Sequence, residues 1–187
     1  MNAMHADRGA LVLVDYQQRL MPAIDRADAV LAEAVFVADV ARRLGVPVLG
    51  TAQNPQRLGD NVDAVHTRCD TVVAKTHFDA CRDGLVDALR AARPGATQVV
   101  VAGCEAHVCL LQTALGLRRH GFETFVVADA CGSRFAADRA LALQRLSHAG
   151  AVLVAPEMVA FEWLDHCHHA QFRPVLDRIK RRTPAGG

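Results

Sequence analysis

The sequence predicts an α/β domain of three layers, with helices on both faces of a six-stranded parallel sheet. Two observations lead there. Short apolar, β-branched runs recur at residues 10–14, 46–51, 71–74, 98–102, 124–128 and 151–154. Their nearly unbroken apolar character is what strands covered on both faces require, since a strand with one wet face would alternate. Between the runs lie stretches of helical period that close on glycine or proline, the punctuation of β–α–β units.

Taken in order, the first run stops abruptly at Asp15. Residues 28–44 then place Val30, Leu31, Ala34, Val37, Ala38, Ala41 and Leu44 at helical spacing, and Gly45 with Pro47 ends the helix. Residues 53–70 are polar and carry Pro55 and Gly59, so they are expected to form a long loop with one short helix at 62–66. Three further helices are expected at 80–92, 107–120 and 136–149, closed by Pro94-Gly95, Gly121 and Gly150. Segments 156–165 and 171–182 read as terminal helices, the second ending in the basic cluster Lys180, Arg181 and Arg182, expected to be a solvated helix end.

A chain of 187 residues without repeats or linkers is expected to be one domain, 1–187. Its 21 basic and 20 acidic residues leave a formal charge of +1, which argues against a nucleic-acid partner. No apolar run approaches the roughly 18 residues of a membrane span, and the first run lacks the flanks of a signal peptide, so a cytoplasmic protein is expected. The six cysteines form no C-x-x-C pair and are expected to be reduced thiols. None of Asn2, Asn54 and Asn61 lies in a glycosylation acceptor. Neither serine, Ser133 or Ser147, sits in a G-x-S-x-G elbow, and there is no glycine-rich phosphate or dinucleotide loop, so no nucleotide cofactor is expected. The run His166-Cys167-His168-His169 resembles a metal cluster, yet adjacent residues point apart and rarely converge on one ion.

In open parallel sheets ligands gather beyond the carboxyl ends of the strands. The residues there are Asp15, Gln53, Lys75, the stretch from Cys104 to Cys109, and Asp129. Cys109 falls in the first turn of a helix after an apolar strand, where unpaired N–H groups and the helix dipole favour a thiolate or an oxyanion. A cation such as Lys75 would depress the thiol pKa further. Asp15 follows an inner strand and needs a cation or donors to offset its burial, and Lys75, at the end of its own apolar run, is its expected partner.

In this order the segments LVLVDYQ, VVAKTHFDAC and VVVAGCEAHVCLLQTALGLRRHGFETFVVADACGSR resemble the isochorismatase-like cysteine hydrolases. TAQNPQRLG and the tail AQFRPVLDRIK are most similar to the isochorismatase domain-containing branch. The resemblance implies a catalytic triad of Asp15, Lys75 and Cys109, in which the thiolate attacks a small amide or related carbonyl, the aspartate moves the proton and the lysine supports the charge. It also implies a cis peptide at Cys104–Glu105 and an oxyanion hole made by the backbone N–H groups of Glu105 and Cys109. Nicotinamidases of this superfamily hold a metal through aspartate and histidine after the second strand. Here that segment reads Thr51-Ala52-Gln53-Asn54-Pro55, so no metal is expected and the substrate is expected to meet Gln53, Asn54, His107 and Phe135. The presence of Cys109 argues against the isochorismate vinyl-ether hydrolases. The resemblance further implies a homo-oligomer. Two alternatives stand beside the hydrolase: a catalytically silent oligomeric scaffold, and a thiol redox sensor pairing Cys109 with Cys104 or Cys131.

Overall fold

A computed structural model describes residues 3–182; residues 1–2 and 183–187 of the expected domain, with Asn2, lie outside the described residues. Six strands form one sheet: β1 (Gly9–Val14), β2 (Val48–Gln53), β3 (Thr71–Lys75), β4 (Gln98–Gly103), β5 (Glu123–Val127) and β6 (Val152–Val154). All neighbours are parallel, in the order β3-β2-β1-β4-β5-β6. Every residue of β1 and β4 is buried, as two-sided cover demands of LVLV and VVVA runs. Strand order reverses between β1 and β4, and the crevice beyond that switch point is where such sheets hold ligands.

Helix α1 (Ala27–Arg43) packs with α7 (Pro156–Leu164) and α8 (Phe172–Lys180) as one outer layer. The opposite layer holds α4 (Leu85–Ala92), α5 (Leu111–Arg119) and α6 (Ala136–His148). Helix α1 buries Val30, Ala34, Val37, Ala38 and Ala41, the stripe its period foretold. Among the described residues no helix is long and apolar enough to cross a membrane.

Several boundaries differ from expectation, each for a local reason. The 53–70 stretch is more ordered than a loop. β2 runs on to Gln53 because Gln53 pairs with Lys75, after which Asn54 (φ +40) turns the chain into α2 (Pro55–Leu58), and α3 (Asp63–His66) follows. The helix expected at 80–92 is divided. The Asp79 carboxylate accepts from Cys81 N (3.0 Å) and caps a tight turn over Ala80–Asp83, and Gly84 (φ +96) opens α4. The helix expected at 107–120 begins instead with a π-helical turn, Ala106–Leu110. Arg182 is not a solvated end. It pairs with the buried Glu33 (2.7 Å) and with Glu157 (2.8 Å), and lies 5.6 Å from the Phe36 ring centroid, because Glu33, 4% exposed on α1, needs a cation.

Candidate active site

The site grows from the carboxyl ends of β1, β2, β3 and β4. Gly103 lies against Val14 so closely that a Cβ there would fall on the Val14 backbone. This approach lets Cys104 N donate to Val14 O (2.9 Å) and draws the end of β4 beside Asp15. Asp15 takes a left-handed backbone (φ +54), and its side chain is fully buried. Its Oδ1 accepts from Thr51 Oγ1 (2.6 Å), and its Oδ2 lies 2.7 Å from Lys75 Nζ. Lys75 is equally buried, so this is an ion pair removed from water, and Lys75 Nζ is the partner that Asp15 Oδ2 has there.

Strand β2 separates β1 from β3, so the Lys75 side chain reaches Asp15 across it. Thr51 and Gln53 share one face of β2 by the two-residue period of a strand, and both serve the pair. Thr51 donates to Asp15; the Gln53 Oε1 accepts from Lys75 Nζ (2.7 Å), while Gln53 Nε2 donates to Thr76 O (2.8 Å). His77 O lies 3.5 Å from the same ammonium. Behind Gln53, the fully buried Gln17 accepts from Gln53 N (2.9 Å) and donates to Gln53 O (3.0 Å) and Gly59 O (2.6 Å).

Cys109 lies in the π-helical turn that follows the cis peptide Cys104–Glu105. It is 6% exposed, and its thiol points at Gln53 Oε1, 3.9 Å away. The depressed thiol pKa expected from the sequence is not found. Burial, followed by the negative charge of Asp15, pushes Cys109 up to about 12, against a smaller lowering by Lys75. Desolvation wins because the helix start that was to stabilise a thiolate is itself buried in the fold.

The Glu105 carboxylate accepts from Arg134 N (3.0 Å) and Nε (3.1 Å), tying down the loop before α6. His107 Nδ1 lies 3.0 Å from Ser133 Oγ, and its Nε2 3.8 Å from Asp138 Oδ2. Asn54 is exposed, its N–H bonded to Lys75 O (2.8 Å), and it borders a 490 Å³ groove with Lys75 and Thr76. Phe135 is 63% exposed at the start of α6. Asp129 stays out of the cluster, its side chain 57% exposed and 4.0 Å from Arg139. A second groove of 630 Å³ begins at Thr76 and His107 and runs past Phe78 and Leu111 to Arg119.

Thr51 and Gln17 were not foreseen. The period of β2 put Thr51 beside Gln53 and offered a signal; Gln17, two residues past Asp15, offered none stronger than its place in LVLVDYQ. Among the described residues no three His, Cys, Asp or Glu side chains are placed to hold a metal ion, the run at 166–169 included. All six cysteines are free thiols.

A buried acid, an ammonium and a thiol thus meet at the switch point of a doubly wound α/β sheet, where such sheets hold ligands. The isochorismatase domain model matches residues 9–157, and the chain belongs to that family. It is 37% identical over 174 residues to isochorismatase domain-containing protein 1 of Danio rerio, a match covering 92% of this chain and 61% of that protein's length. A solved structure described as the MAR1 ribonuclease of Caenorhabditis elegans superposes with a TM-score of 0.91 at 29% identity, covering 100% of this chain and 95% of that one. The YcaC gene product of Escherichia coli, described as an octameric hydrolase of unknown specificity, shares the fold: TM-score 0.83, 24% identity, 98% of each chain covered.

Proposed function

We propose that this chain is a metal-independent cysteine hydrolase that cleaves the C–N bond of a small, non-peptide amide or a related carbonyl compound. The observation that carries the reading is the buried Asp15–Lys75 pair at 2.7 Å, whose two charges act in opposite directions on the Cys109 thiol. A buried acid beside a protonated thiol is a base placed to take that proton. In the first half-reaction Cys109 Sγ bonds to the carbonyl carbon as its proton passes to Asp15. The N–H groups of Glu105 and Cys109 receive the oxyanion. Collapse breaks the C–N bond, Asp15 returns the proton to the leaving nitrogen, and a thioester remains. In the second half-reaction water adds to the thioester carbon with Asp15 as base, and the departing thiolate recovers the proton. The sum is amide plus water giving acid plus amine. Lys75, paired with Asp15 and bonded to Gln53 Oε1, holds charge and geometry and transfers no proton.

The segment 51–55 contains no Asp, Glu, His or Cys, the side chains that hold zinc, which supports the metal-independent form. Gln53, Asn54, His107 and Phe135 border the approaches to the thiol and would meet the substrate. Burial pushes Cys104, Cys131 and Cys109 all up, but on Cys109 alone do the Asp15 and Lys75 charges act in opposite directions, which favours the hydrolase over the redox sensor. Homo-oligomerisation is part of the proposal, supported by the octameric relative of the same fold and by exposed Phe78, Phe135 and Leu141. The test is ammonia release from a panel of small primary amides, with intact-mass detection of an acyl adduct on Cys109. Turnover that disappears in Cys109→Ala and in Asp15→Asn, with the fold retained, is expected. Full turnover in either variant overturns the reading. Labelled RNA belongs in the same panel because one relative is described as a ribonuclease; Cys109-dependent cleavage of RNA alone would replace the amide as substrate.

A further inference from the structure

Arginines from three separate elements line one groove. The 630 Å³ groove beside α5 takes Arg82 from the tight turn before α4, Arg119 from the end of α5 and Arg145 from α6. Like charges gathered in one place repel unless something negative lies among them. The acid that lines the groove, Asp79, does not balance all three: its side chain is 8% exposed and already held by Arg119 (2.7 Å) and by Cys81 N (3.0 Å). Asp83, next to Arg82 in the chain, accepts from the amides of Thr76 (2.7 Å) and His77 (2.9 Å) and lies 2.7 Å from the His77 ring, while Asp138 lies 3.8 Å from His107. Among the described residues the side chains of Arg82 and Arg145 have no hydrogen-bond or ion-pair partner. The whole chain carries a formal charge of only +1, so this excess is local and not the mark of a basic protein.

The groove also has a direction. Its near end is made by Thr76, whose carbonyl accepts from Gln53 Nε2 (2.8 Å), and by His107, two residues before Cys109 in the chain. From there Leu111, Leu115 and Arg119 follow at four-residue steps, one face of α5. Helix rises about 1.5 Å per residue, which sets Arg119 about 12 Å along α5 from Leu111. We propose that this groove is an anion subsite: it takes the charged end, a carboxylate or phosphate, of an amide whose carbonyl lies at Cys109 and whose apolar stem lies over Leu111 and Leu115. This names a substrate class for the hydrolase reading and rests on it. Guanidinium groups match such oxyanions through paired N–H donors, and Arg119, tied to Asp79 through one terminal nitrogen, keeps its other donors for a ligand. Three arginines in one groove suit a single anionic group, whereas a strand of RNA is held by a basic track that follows its backbone.

The test is kcat/KM for ammonia release from suberamic acid and from octanamide, which share a chain length and differ in the terminal charge. The phosphate ester of an ω-hydroxyamide of that length separates the two oxyanions. One charged amide or both are expected to exceed octanamide about tenfold, the scale of a single charge-assisted contact, with the difference carried by KM. The preference is expected to shrink with added salt, which screens exposed charges. Arg82 and Arg145 are exposed, so Arg82→Gln/Arg145→Gln is expected to fold and to lose the preference, and Arg82→Lys/Arg145→Lys to keep part of it. Equal rates for octanamide and both charged amides, or a preference that survives in the glutamine variant, overturns the subsite and leaves the hydrolase reading standing. Cleavage of RNA that depends on the two arginines, with no preference among amides, overturns it as well. If no amide is turned over, the hydrolase reading fails and isothermal calorimetry with suberate decides the subsite alone: binding by the native protein that the glutamine variant loses upholds it, and no binding, or equal binding by both, overturns it.

Discussion

Replacing Lys75 by methionine preserves much of the side-chain volume and deletes one charge from a pair that is wholly out of water. Asp15 Oδ2 loses the cation 2.7 Å away and has no other partner there; Gln53 Oε1 loses its donor as well. Removing one member of a buried pair costs about 3–5 kcal/mol, most of it the penalty of the stranded charge. For a domain of this size each kcal/mol shifts Tm by about 2–4 °C, so a fall of about 6–20 °C is expected. Asp15→Asn strands the opposite charge and is expected to cost a similar amount, moderated by the Gln53 and His77 acceptors that Lys75 retains. The double variant Asp15→Asn/Lys75→Met leaves no stranded charge and is expected to be less destabilised than the sum of the singles by at least about 2 kcal/mol. The thiol adds an independent sign. Asp15 pushes the Cys109 pKa up and Lys75 pulls it down, so alkylation of Cys109 at fixed pH is expected to slow in Lys75→Met and to quicken in Asp15→Asn, although both lose hydrolysis. Urea unfolding followed by circular dichroism, with labelling on the same samples, reads both quantities. Additive stability losses, or alkylation rates that move the same way in the two variants, would refute the arrangement described.

Three further outcomes are expected. Gly116→Ala, which in an ordinary exposed helix would gain up to about 1 kcal/mol, is expected to destabilise by about 1–3 kcal/mol, because the new Cβ falls on the Asp79 carboxylate that pairs with Arg119; a raised melting temperature would contradict this. Thr51→Val removes the donor to Asp15 Oδ1 and is expected to cost about 1.5–3 kcal/mol, the range for hydrogen bonds to charged groups, measured by denaturant unfolding. Backbone and side-chain hydrogen bonds from His77, with that of Thr76, hold Asp83 down at about 2 against an ordinary 3.8. A carboxyl depressed on folding stabilises above its unfolded value and loses that contribution as pH falls through the folded one. The Thr76–His77 segment is therefore expected to loosen between about pH 4 and pH 2, with the hydrogen-exchange protection of both amides, relative to an unstructured peptide at the same pH, falling there in the native protein but already low at neutral pH in Asp83→Asn.

Much of the architecture was legible in the residues themselves. Six apolar runs and the glycines behind each helix specify a covered parallel sheet, because burial on both faces leaves no room for alternation and a chain returning to a parallel start must cross over the sheet. Asp15, Lys75 and Cys109 could be singled out because each ends or follows an apolar run, where a polar group demands a reason. That Lys75 is the partner of Asp15 was expected because each ends an apolar run, but how they meet, 60 positions apart in the chain and across β2, depends on strand order, a property of the whole sheet. The division of the 80–92 helix and the order within 53–70 arose from side-chain caps and one register pair, which periodicity does not record. The sign of the Cys109 shift was decided the same way. Sequence could place the thiol at a helix start beside a cation, but how much water remains there, and that the Asp15 charge outweighs that of Lys75 at the sulfur, are set only when distant segments close over the site, because desolvation and charge act through space and leave no trace in local spacing.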